Sequence, residues 1–191
     1  YEEWPPKSHT QIFFESNNKN NEKKYAREVL AKFMRRAWRR EISSQEIDQK
    51  LTLFYEIRPK CHDFQEAILE VLSGVLASPK FLYITLSSEP KNKENQRISD
   101  FELANRLSFF LWSSMPDDEL LDLASRGKLR NDVVINEQIK RLLDDPKSER
   151  FSHHFTRQWL GLELLDFLKL DKNTHPHFDP LVMEGMKEEP I

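Results

Sequence analysis

An all-α fold, an orthogonal multi-helix bundle of about seven to eight helices in two packed groups, is what this sequence predicts, and three observations predict it. Apolar side chains recur every three to four positions along most of the chain, the period of a helix that buries one face. The 191 residues include only 4 glycines, too few for the tight turns of a sheet protein of this size. They stand beside abundant Glu, Lys, Leu and Arg, which favour helices. The 10 prolines stand mostly at segment edges, where a missing N–H is tolerated.

Residues 1–21 read as an irregular lead-in: Trp4-Pro5-Pro6, then the apolar patch Ile12-Phe13-Phe14, placed either as a short strand or as a plug in the core. The first helix is predicted from about Glu22 to Arg40. Tyr25, Val29, Leu30, Phe33, Met34 and Ala37 share one face, with Arg35, Arg36, Arg39 and Arg40 on the other side. Ser43 and Glu46 form a capping box that opens a second helix, buried through Ile47, Leu51 and Phe54 and ending before Pro59. A third helix, about Asp63 to Ala77, carries Phe64, Ile68, Val71, Leu72, Val75 and Leu76 on one stripe. Ser78-Pro79 ends it, because the residue before proline is pushed out of the α region. These three helices make the group 22–88, and the polar stretch 89–98 reads as a linker.

The second group spans 99–191. Ser99 and Glu102 repeat the capping-box spacing before the most apolar helix, through Leu103, Leu107, Phe110, Leu111 and Trp112, which is expected to be central and buried. Pro116 suits the first turn of the next helix, where the macrodipole favours Asp117, Asp118 and Glu119. Gly127 supplies the stop. A helix from Asn131 to Asp144 turns Ile135, Ile139, Leu142 and Leu143 inward. Asp145-Pro146 restarts the chain into a helix whose Phe151, Phe155 and Trp159 stand four apart as an aromatic ridge. Asp179-Pro180 begins a last helix. Beginning at Tyr1 without a leader and ending soon after that helix starts, the chain is expected to be cut from something longer.

Bulk properties exclude several function classes. Net charge is -3, from 29 basic and 32 acidic residues, which lacks the basic surplus of a nucleic-acid module. No stretch approaches 18 consecutive apolar residues, so no membrane span is predicted. Cys61 is the only cysteine, so there is no internal disulfide.

The run Phe101-Glu102-Leu103-Ala104-Asn105-Arg106-Leu107-Ser108-Phe109-Phe110-Leu111-Trp112-Ser113-Ser114-Met115-Pro116-Asp117-Asp118-Glu119-Leu120-Leu121 resembles a large bacterial family known as domain of unknown function 1592. Gly127-Lys128-Leu129-Arg130, Gln158-Trp159-Leu160-Gly161-Leu162 and Phe178-Asp179 extend the match. Upstream, Ala31 to Arg40, Ile42-Ser43 and Ser78-Pro79-Lys80-Phe81-Leu82-Tyr83 resemble its companion, domain of unknown function 1595. The resemblance covers nearly the whole chain from Tyr25. It implies a planctomycete-type, extracytoplasmic (periplasmic) setting, in long exported proteins that often carry a c-type cytochrome domain. Relatives carry one cysteine after the Ile-Phe pair and another just before the first helix; here those places hold Glu15 and Tyr25, which fits loss of a disulfide as a unit. The family also continues into further domains past the point where this chain stops.

For most residues that suggest chemistry, a plain structural role is the commoner one. Covalent haem attachment needs two thiols beside a histidine, and Cys61-His62 supplies one. One histidine from His153-His154 and one from His175/His177, with Asp171 or Asp179, would be needed for zinc; surface roles are the commoner outcome, and no metal or cofactor site is assigned. Asp117, Asp118 and Glu119 resemble the paired carboxylates of glycoside chemistry, but a first helical turn explains them. Cys61 has no nucleophile context. The arginines around Trp38 are expected to bridge acidic neighbours and lay their stems over that ring. Arg106, Trp112, Arg157 and Trp159 form the one candidate ligand-binding set, for a sugar or an anion, although Trp159 reads first as core. No catalytic residue is assigned.

The favoured expectation is a non-catalytic helical interaction or scaffolding module of a larger exported protein, partnered by other domains or chains such as a c-type cytochrome, with no nucleic-acid role. The alternatives are part of an enzyme acting on polysaccharide, and a fragment without an independent role. The orientation of Asp117 and Asp118 discriminates between the first two: facing another carboxylate across an open pocket, or capping a helix.

Overall fold

The structure, a computed structural model, describes residues 4–83, 98–168, 173–174 and 179–188. Among the described residues the regular elements are all helical, as the spacing predicts. The α-helices are α1 (Lys7–Ile12), α2 (Glu22–Trp38), α3 (Ser44–Ile57), α4 (Phe64–Leu76), α5 (Pro79–Leu82), α6 (Asp100–Trp112), α7 (Asp118–Ser125), α8 (Asp132–Asp144), α9 (Glu149–Trp159) and α10 (Pro180–Glu188), with short 3-10 turns at Arg58–Lys60, Pro146–Ser148 and Leu162–Phe167. The chain forms two compact units, Tyr1–Ala104 with Asp117–Lys128, and Asn105–Pro116 with Leu129–Ile191. The linker read at 89–98 lies outside the described residues except for Ile98.

In the first unit α2, α3 and α4 bury one seam built from Tyr25, Val29, Leu30, Met34, Leu51, Phe54, Ile68, Val71, Leu72 and Val75. The caps follow the sequence. Ser43 and Glu46 make both halves of the capping box, Asn21 accepts from the Lys24 N–H, and Asp63 accepts from the Glu66 N–H. The lead-in differs from its reading: Lys7–Ile12 is helical, and of the two roles considered for the patch after it, Phe13 takes the plug, buried against the seam. The Tyr25 hydroxyl donates to the Phe14 carbonyl at 2.8 Å, so a hydrogen bond ties the lead-in to α2. Ser78-Pro79 does end α4, and Pro79 then opens the additional short helix α5, as a proline at N1 allows. Leu76, placed on the buried stripe by its spacing, is exposed as the last residue of α4.

Arg39 departs most from the sequence. The helical spacing puts it on the polar side of the first helix, yet it is only 4% exposed. The helix ends one residue earlier, and Arg39 adopts φ 55, a left-handed C-cap. That turn swings the guanidinium inward, where it donates to the carbonyls of Ala37, Lys80 and Phe81 at 3.0–3.3 Å. Burial lowers its pKa. The other arginines behave as expected: Arg40 lies 5.4 Å from the Trp38 ring centre and bridges Glu46, and Arg35 bridges Glu41 and Asp122.

In the second unit the end of α6 meets α8 where the Trp112 indole donates to the Leu142 carbonyl, and Leu111, Trp112, Leu129 and Leu142 are all buried. Two inward assignments fail here. Phe110 is 61% exposed although its helix is apolar nearly all round, and Leu143 is exposed while Gln138 takes a buried place on α8. A stripe wider than the contact leaves residues at its edge in water. Pro116 stands one residue before the Asp117 cap instead of inside the turn. Gly127, at φ 63, ends α7 in a Schellman arrangement: its N–H donates to Ala124 and the Lys128 N–H to Leu123.

The same device recurs in both units. Trp38 ends α2 and Trp112 ends α6, and each is followed by a non-glycine residue with positive φ, Arg39 at 55° and Ser113 at 49°. Each indole N–H donates to a carbonyl in the last turn of a packed helix, Trp38 to Val75 at 3.4 Å and Trp112 to Leu142 at 2.8 Å. Four residues beyond each carbonyl stands a proline, Pro79 or Pro146, and the next residue is a lysine whose ammonium sits over the ring: Lys80 at 4.6 Å, Lys147 at 4.1 Å. The physical logic is shared. Carbonyls at a helix end lack intrahelical donors, and a buried indole needs an acceptor.

Candidate functional site

The side chains that stand out lie on α9. The Asp145 cap and the 3-10 turn Pro146–Ser148 restart the chain into this helix, with Phe151, Phe155 and Trp159 at i, i+4 and i+8. The three rings form a ladder, 5.5 Å then 6.0 Å between centres and within 28° of parallel, and Phe110 of α6 extends it at 4.8 Å from Phe151. None of the α9 residues is buried. Phe155 is 50% and Trp159 73% exposed, so the reading of Trp159 as core is overturned. The periodicity is real, but the face it defines has solvent on it.

The four residues singled out as a ligand set are not alike. Trp112 is 1% exposed, its N–H taken by Leu142 and its face covered by Lys147 and Arg141. Arg157 pairs with Asp166 at 3.1 Å, and Lys187 pairs with the same carboxylate. Those two cations hold the Asp166 pKa below the usual carboxylate range, the Lys187 contact first. Arg106 and Trp159 are exposed. A buried Trp112 does not share an exposed surface with Trp159. The ring that joins the ladder instead is Phe110, which its own helix pattern had marked for the core.

The acidic run after Pro116 is a helix start. Asp117 caps α7, accepting from the Leu120 N–H at 3.0 Å, and Asp118 and Glu119 occupy its first turn on the exposed side. His153 and His154 are exposed, their rings 5.7 Å apart and nearly perpendicular, beside a depression of about 560 Å³ lined with Glu149, Arg150 and Ser152. His175, His177 and Asp171 lie outside the described residues. Among the described residues no group of three His, Cys, Asp or Glu could hold a metal ion. No helix among them is long and apolar enough to cross a membrane. Cys61 is half-buried, and burial pushes its thiol pKa up, which lowers its reactivity.

The family comparison accounts for both halves of the chain. Residues 98–191 match the family described as PSD4, a protein of unknown function (DUF1592), and residues 25–85 match PSD5, a protein of unknown function (DUF1595). Residues 98–191 belong to the DUF1592 family, with a DUF1595 domain on their N-terminal side. No curated protein and no solved structure matches it. The DUF1592 match takes in the whole aromatic ladder, Phe110 through Trp159, and the DUF1595 match takes in the first Trp-Pro-Lys device, Trp38 through Lys80.

Proposed function

We propose that this DUF1595–DUF1592 chain is a non-catalytic helical interaction or scaffolding module of a larger exported protein, working outside the cytoplasm beside a c-type cytochrome domain. One observation carries the interaction role: a ladder of four aromatic rings, three of them on a helix with no buried residue. From their fractional exposures, Phe110, Phe155 and Trp159 leave roughly 350 Å² of aromatic surface in water. Patches of that size on a folded chain commonly mark a binding face. The exported setting and the cytochrome neighbour come from the family resemblance. The Asp117 cap and the first-turn position of Asp118 support a module over a polysaccharide-cleaving site, since both carboxylates have a structural task.

Hydroxyl-radical footprinting tests the reading. The side chains of Phe155 and Trp159 are to be compared between the isolated chain and the native full-length assembly. The module reading expects at least fivefold protection in the assembly, where a partner surface covers them. Equal labelling in both would leave the ladder without a partner and sink the proposal.

A further inference from the structure

The helix α10 is short and has little apolar docking to hold it. It has 9 residues, and helices shorter than roughly 12–15 residues are marginal alone in water, so its stability comes from what it touches. Yet none of its described side chains is buried. Leu181, Val182 and Met186 are exposed, Leu181 to 76%. Its partly buried side chains are Met183 and Lys187, four apart and so on one face. Of these two, one is a cation.

That cation is engaged. Lys187 pairs with Asp166 in the 3-10 turn Leu162–Phe167, and Arg157 of α9 pairs with the same carboxylate at 3.1 Å. The Lys187 and Arg157 side chains are 18% and 24% exposed, while Asp166 is 43% exposed and within reach of salt. We propose that α10 is a strap held closed by charge: the Arg157–Asp166–Lys187 clamp docks it on its unit, and loss of the clamp releases and melts it while the rest of the unit stays folded. Segments with few buried apolar contacts open well below the global unfolding free energy, and here one carboxylate serves both cations, so its neutralisation removes both pairs at once. Arg157, two positions past Phe155, stands about 200° around α9 from it. The clamp therefore lies on the side away from Phe155, and the strap opens without engaging that ring.

Amide hydrogen exchange of the purified chain, read by mass spectrometry in 20 mM and in 1 M sodium chloride, is the test. At 1 M the screening length falls to about 3 Å. An exposed ion pair shifts an equilibrium by up to about fivefold, and Asp166 makes two. The α10 amides are expected to be protected in 20 mM salt, and to exchange at least fivefold faster in 1 M salt. In Asp166→Asn they should exchange at least tenfold faster at low salt, with α8 amides unchanged within twofold. Lys187→Gln removes only the pair that α10 itself makes and should also speed α10 exchange at least fivefold; if Asp166→Asn loosens α8 as well, Lys187→Gln decides. Lys187→Arg should keep α10 protected. An α10 that exchanges in step with α8 under every condition overturns the inference, because the helix then belongs to the global unfolding unit. So does an α10 already unprotected in 20 mM salt, or one indifferent to Lys187→Gln.

Discussion

The Trp-Pro-Lys device occurs twice with one difference, and that difference predicts unequal costs for the same substitution. Trp112→Phe and Trp38→Phe each keep an aromatic ring under the lysine and delete the indole N–H. The lost volume costs about 1 kcal/mol at either place. The acceptors differ. The Val75 carbonyl also receives the Ser78 hydroxyl at 2.7 Å, shorter than the 3.4 Å contact from Trp38. The Leu142 carbonyl receives Trp112 at 2.8 Å, while the nearby Ser148 hydroxyl goes to Leu143 instead. Removing the Trp112 donor therefore strands a buried carbonyl, which costs about 2 kcal/mol more. Trp112→Phe should then cost about 3 kcal/mol and Trp38→Phe about 1 kcal/mol. At roughly 2–4 °C per kcal/mol for a chain of this size, melting should fall by roughly 6–12 °C and 2–4 °C. Thermal unfolding followed by far-UV circular dichroism measures both, and amide exchange in α8 and α4 assigns each loss to its own unit. Equal costs, or a larger cost at Trp38, would refute the hydrogen-bond argument.

Three further outcomes follow from single sites. Glu46 accepts from Arg40, Lys80 and Ser43, the Arg40 bonds first, and these hold its pKa far below the ordinary glutamate value. A depressed folded pKa gives stability that is present above about pH 4.3, the unfolded value, and is lost as pH falls; Glu46→Gln should cost about 2 kcal/mol at pH 7, and urea titrations should show that gap narrowing between pH 5 and pH 2.5. Arg39→Lys should cost about 2 kcal/mol in the same assay, because one ammonium cannot reproduce a planar fork reaching three carbonyls. Gly74→Ala and Gly127→Ala should have opposite signs although neither added Cβ meets an atom within 4 Å: the first stabilises the α4 interior by about 0.5–1 kcal/mol, the second costs about 1 kcal/mol because φ is +63.

Most helices were legible because their signals are local. Ser43-Glu46 acts within one turn of itself, and α3 begins where that cap falls; Asp117, expected inside the first turn of its helix, stands one residue before it as the cap. Arg39 was not legible. A charged side chain after the last turn of a helix reads as exposed, and only the left-handed step at Trp38-Arg39 brings it against carbonyls forty residues away in sequence. The doubled tryptophan device was hidden for a similar reason. Its parts, Trp38 with Val75 and Pro79, Trp112 with Leu142 and Pro146, keep their relative spacing only within each carbonyl-to-proline half. Between tryptophan and carbonyl the separations are 37 and 30 residues, so no fixed period marks the repeat.

The ladder shows where periodicity stops being informative. Val29, Leu30 and Met34 on α2 and Phe151, Phe155 and Trp159 on α9 obey the same three-to-four spacing, yet the first set is buried and the second has no buried member. Spacing states that a face wants covering; it does not state that the same chain supplies the cover. On α2 two other helices of the unit do so. On α9 the ring from Phe110 covers one end, Phe151, and exposure rises toward Trp159 at the other. Leaving a stacked aromatic row in water costs about 25 cal/mol per Å², a cost that a helix with so polar an opposite face could have avoided by carrying polar residues on both. An apolar face kept at that cost is what supports the proposed interaction role, because no described residue of α9 is buried.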